Sequence, residues 1–141
     1  MEIIDLLTPD SPRYELPFRT LTGSNSPVES HIGKMFLDLL NTLRSQPDKQ
    51  ILLASSLLDE ELRLSYAASD RQTHVSISIR VDSMDFGLVE NGLPRFHFRI
   101  CRTFTSPLNQ FQPYAIENRV TSVEDASDLV LDTIRKTRSP I

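Results

Sequence analysis

The sequence predicts an α+β domain: an antiparallel sheet of about four to five strands, with an N-terminal and a C-terminal helix packed on one face. Two periodicities predict it. Apolar residues recur at spacings of three, four and seven over residues 28–43 and again over 123–134, the mark of amphipathic helices. Between these segments the period falls to two. Leu62, Leu64 and Tyr66, then Val75, Ile77, Ile79 and Val81, alternate with polar neighbours, as half-buried antiparallel strands do. A chain of 141 residues, 39% hydrophobic and 24% charged, is one domain's worth and long enough to bury a single core.

Residues 1–27 hold Pro9, Pro12, Pro17 and Pro27 among Ser, Thr and Gly. Proline removes backbone donors and fixes φ, so residues 1–25 read as an extended arm ahead of one globular domain spanning 26–138. Ile3, Ile4, Leu6, Leu7, Leu16 and Phe18 are too apolar for a solvated tail. Ile4, Leu7 and Phe18 are therefore expected to be covered, by the chain's own domain or by a second copy.

The first helix opens at Ser26, a good N-cap, with Pro27 at its first position and Glu29 completing a capping box. Val28, Ile32, Met35, Phe36, Leu39, Leu40 and Leu43 form its apolar stripe, and Leu37 falls on the opposite, polar side as a candidate partner contact. Residues 47–58 fit either a helix or a strand, and "QILLAS" at 50–55 favours a strand. "SDRQ" at 69–72 is a turn between the two alternating strands. Phe86 opposite Phe96 and Met84 opposite Phe98 would keep apolar groups on one face. That register calls for a three-residue loop, Glu90-Asn91-Gly92, with Gly92 left-handed. Residues 105–121 are irregular, with a short strand near 113–117. The last helix begins at Ser122, with Glu124 and Asp125 in its first turn and Arg135 and Lys136 in its last, matching the helix dipole. Val123, Ala126, Val130, Leu131 and Ile134 make its buried side. Helix, antiparallel strands, long loop and helix is an element order similar to that of RWD-like interaction modules and of secretion chaperones. No motif residue stands behind the similarity.

The chemistry is mostly that of exclusion. A net charge of −4 gives no basic field to draw in nucleic acid. The single Cys101 rules out an internal disulfide and a cysteine zinc cage, and a reducing, intracellular setting for a soluble protein is the expectation. No apolar run approaches the roughly 20 residues of a membrane span. His31, His74 and His97 lack metal spacing, and no phosphate-binding glycine loop occurs, so no metal, cofactor or catalytic residue is assigned. His97 and Cys101, the one nucleophile–base pair, lie four apart on a strand, about 13 Å, beyond hydrogen-bond reach.

One stretch stands out, "PRFHFRI" at 94–100. With Phe96 and Phe98 turned to the helices, the opposite face of the sheet carries Arg63, His74, Ser76, Ser78, Arg80, Arg95, His97 and Arg99, against Glu61 and Asp85. Cations thus converge on one face of an acidic chain. The bland reading is a wet sheet face partly covered by the acids of the arm, Asp5, Asp10 and Glu15. The sharper one is a non-enzymatic interaction or assembly module that meets a protein partner, or a second copy as a homodimer, through Arg63, Arg80, Arg95, His97 and Arg99. The alternative is a nucleic-acid-associated protein using the same arginines. Buried Phe96 and Phe98, unable to stack on bases, weigh against it.

Overall fold

The computed structural model describes residues 1–58, 61–83, 89–90, 93–94, 96–108 and 111–138. In chain order they form β1 (Glu2–Asp5), a 3-10 turn (Arg13–Glu15), α1 (Leu16–Thr22), α2 (Pro27–Arg44), β2 (Ile51–Leu58), β3 (Glu61–Ala67), β4 (His74–Ser83), the short β5 (Val89–Glu90) and β6 (Leu93–Pro94), β7 (Phe96–Thr105), β8 (Tyr114–Val120) and α3 (Val123–Arg138). Six strands make one sheet in the order β1-β2-β3-β4-β7-β8, and β5 pairs with β6 apart from it. The α+β class and the mostly antiparallel sheet are as expected. The sheet is larger than four to five strands and includes one parallel pair, β1 with β2.

The expected extended arm is corrected. Residues 2–5 form an edge strand and residues 16–22 a helix. Pro17 sits in the first turn of α1, where the amide it lacks would have had no intrahelical acceptor. Phe18 is fully buried, stacked on Phe36 with ring centroids 4.3 Å apart, and Phe36 meets Phe98 edge-on at 5.9 Å. Around this aromatic file lie Leu39, Leu40, Leu43, Leu62, Leu64, Ile77, Ile79, Ile100, Val130 and Ile134, all buried. Each such side chain contributes about 1.5–3 kcal/mol by leaving water, so the helices are held to the sheet by its inward rows.

The N-terminus of α2 carries the expected cap, in relayed form. The amide of Glu29 donates to Ser26 Oγ at 3.4 Å. The return half passes through Ser24, whose hydroxyl accepts from the Ser26 amide and donates to the Glu29 carboxylate at 2.6 Å. Leu37 is not on a bare polar side; it is half-buried against the core. The strand expected at 50–55 is β2, which runs on to Leu58 with a bulge between Ser55 and Leu58 in its pairing with β3.

The turn at 69–72 is closed by the Ala68 amide donating to the Thr73 carbonyl. The Asp70 carboxylate accepts from the amides of Gln72 and Thr73, and Arg71 takes the positive φ of 60°. After β4 the register departs from expectation. Ser83, not Phe86, faces Phe96; Val81 faces Phe98; and Val89 pairs with Pro94 and Glu90 with Leu93, which leaves two residues between the paired ends rather than three. Met84, Asp85, Phe86, Asn91, Gly92 and Arg95 lie outside the described residues. Phe96 is half-buried, tilted on His31 at 5.6 Å, rather than deep in the core. The strand expected near 113–117 is the longer β8, in unbroken register with β7. Among the described residues no helix is long and apolar enough to cross a membrane.

Candidate functional site on the open face of the sheet

The register fixes what the helix-free face carries. One row crosses it as Glu61, Arg80, Arg99 and Arg119; the next as Arg63, Ser78, Cys101 and Glu117; a third as Ile4, Leu53, Ser65, Ser76, Thr103 and Ala115. Charges gather at one end and small side chains pave the middle. Ile4, Ile51 and Leu53 give an apolar end, with Ile51 and Leu53 exposed. Over the rows from Ser76 to Arg80 the face hollows into an open depression of about 440 Å³ floored by Ser76, Ser78, Cys101 and Thr103 and bordered by Glu61, Arg63, Arg80, Arg99 and Glu117.

The cations are not free. The Glu61 side chain, 7% exposed, lies between two half-exposed guanidiniums: Arg80 Nη2 at 2.9 Å and Arg63 Nη2 at 3.2 Å. Ser78 Oγ donates to the same carboxylate at 2.9 Å. Burial pushes the Glu61 carboxyl up, but Ser78 and the two arginines outweigh it and hold the group below its ordinary value. Arg99 Nε lies 3.3 Å from Asp82 and 3.7 Å from Glu117. A face expected to be cationic is therefore a patchwork of paired charges. Arg119 has no ion-pair partner among the described residues and is exposed.

Sequence-chosen residues divide accordingly. Arg63, Arg80 and Arg99 come together as expected, while Arg95 is outside the described residues. His97 is corrected from a surface group to a buried one, its Nε2 lacking a hydrogen bond among the described residues and lying 3.9 Å from Asp82 Oδ2. Ile4 joins the apolar end of the same face, whereas Leu7 stands 82% exposed and Phe18 belongs to the core. The arm does not screen the arginines. Asp5 accepts from the amides of Leu7 and Thr8, and Glu15 is buried against Arg19 and Arg44 on the helix side.

Glu61 was placed on this face without its pairing to Arg80, and Arg119 was missed, each for an identifiable reason. A turn at 69–72 pairs Ala68 with Thr73, and counting back from it already puts Glu61 opposite Arg80. Arg119 lies beyond the strand that the sequence predicts, which stops at 117, two residues short of it. Among the described residues no group of three or more His, Cys, Asp or Glu is placed to hold a metal ion. No family model, curated protein or solved structure matches the chain.

Proposed function

We propose that the chain is a non-enzymatic protein-binding module that receives a polypeptide partner on the open face of its sheet. The observation that carries this reading is the depression itself. Among the described residues, α1, α2 and α3 cover one side of the six-stranded sheet, while the other side offers a floor of Ser76, Ser78, Cys101 and Thr103 under a rim of both charge signs. Small floor residues let a partner's side chains reach the sheet surface, and fixed ion pairs at the rim favour a matching pattern of both charges over a uniform polyanion. Nucleic acid gains less support. Its phosphates would compete with Glu61, Asp82 and Glu117 for the arginines, and neither Phe96 nor Phe98 lies on this face to stack a base.

The test fills the floor without touching the charges. Ser76→Arg places a long side chain on an uncovered surface, and surface changes of this kind shift stability by no more than about 0.5 kcal/mol. Tagged wild-type chain and the variant are used for capture from cells, with mass identification of what is bound. Loss of a captured protein with an unchanged melting temperature supports the reading. An identical captured set from both baits sinks it.

A further inference from the structure

We infer that β8 is a self-complementary edge, through which two copies of the chain join their six-stranded sheets into one. β8 ends the sheet, and among the described residues nothing pairs with its outer side. Natural sheets blunt such edges with brevity, charged side chains, proline or a bulge. The opposite edge, β1, is four residues long and begins and ends on the acids Glu2 and Asp5. β8 has seven residues, contains no Pro or Gly, and holds an unbroken register on β7. Its one such device is charge, Glu117 and Arg119, and a suitably aligned second copy turns that pair from a guard into a contact.

The sequence of β8 says with what. Closed pairing of two identical edges needs a two-fold axis perpendicular to the sheet, which makes the strands antiparallel and keeps the helices of both copies on one side. Each residue must then oppose one from its own face, so the axis has to pass through a residue position. An axis at Glu117 sets carboxylate against carboxylate, and one at Arg119 sets guanidinium against guanidinium. An axis at Ile116 leaves Glu117 facing Ala115. Only the axis at Asn118 matches throughout: Glu117 faces Arg119 of the second copy, twice by symmetry, and on the helix side Ile116 faces Val120.

Three features of the single chain fit this. Arg119 has no ion-pair partner among the described residues, and Glu117 has only a long contact to Arg99, at 3.7 Å. Ile116 and Val120 are left half-buried. With the axis at Asn118, Tyr114 falls opposite Ser122 of the second copy. Phe111, three residues earlier and 95% exposed, then lies toward the start of that copy's α3. The pairing also sets the two open faces side by side, but it stands whether or not that face binds a partner.

The test is sedimentation equilibrium on the full chain, with circular dichroism as the check on folding. Wild type is expected at twice the 16.1 kDa of one chain. Glu117→Arg alone and Arg119→Glu alone each turn two attractive pairs into two repulsive ones and should weaken association roughly tenfold or more. Mixed in equal amounts, the two variants restore opposite charges at all four positions and should recover a dimer. A monomeric wild type, single variants that associate as tightly as wild type, or a mixture that stays monomeric would each overturn the proposal.

Discussion

Glu61 shows how little a charged residue's type says about its surroundings. Its carboxylate is buried, which by itself would raise its proton affinity, yet Ser78, Arg80 and Arg63 bind the charged form more strongly than burial opposes it. Glu15 is held below its ordinary value in the same way: burial raises it and Arg19 and Arg44 more than compensate. A carboxyl whose value falls on folding stabilises the folded state at pH above its unfolded value, 4.5 for both residues. That stability is lost as pH falls through the lower folded value. Replacing Glu61 with Gln removes the charge but keeps the shape. The variant should lose about 1.5–3 kcal/mol at neutral pH, the worth of a hydrogen bond to a charged group. It should also lose less further stability than wild type between neutrality and strong acid. Urea denaturation at a series of pH values checks this, and parallel stability curves for the two proteins would count against it.

Among the elements, α2 was legible and α1 was not, and the difference is physical. α2 runs eighteen residues with a cap and a continuous stripe, so its sequence repeats one message many times. α1 is seven residues preceded by prolines, and a short helix draws its stability from packing rather than from its own sequence. β8 was read short because Asn118 occupies an inward position where alternation asks for an apolar group. Its amide oxygen accepts from Arg102 Nη2 at 2.7 Å, and Arg102 also reaches Thr133 on α3. The open face was legible where local alternation set it, and illegible where it hung on pairing between strands. What lets α1 lie so close to α2 is Gly33. A Cβ there would lie 2.5 Å from the Phe18 carbonyl oxygen and 2.7 Å from the Thr22 amide nitrogen. Both are backbone atoms that cannot turn aside. Alanine is the better helix former by about 1 kcal/mol, yet Gly33→Ala should destabilise by about 1–3 kcal/mol as α1 is forced outward. Thermal denaturation decides the sign, and a raised melting temperature would show that α1 is not seated as described.

Over the whole molecule, a sheet covered on one side depends on that cover being complete, because every inward row must find apolar neighbours. α1 supplies part of it. Phe18 closes the aromatic file through Phe36 to Phe98, joining the N-terminal segment to β7 through the centre of the core. Leu7, from the same segment, stands almost fully exposed. The two residues should therefore behave oppositely, although both were expected from the sequence to be covered. Phe18→Ala leaves a cavity beside Phe36 and should cost about 3–5 kcal/mol, a large share of the roughly 5–15 kcal/mol that holds a domain folded. Leu7→Ser should change stability by no more than about 0.5 kcal/mol. Because Phe18 packs within its own chain, the gap between Phe18→Ala and wild type should be the same at low and high protein concentration, even if the two proteins also associate. Urea denaturation at both concentrations measures that gap. A gap that widens with concentration would mean that α1 crosses to a second copy, and a marked loss from Leu7→Ser would mean that the exposed turn after β1 is covered in solution.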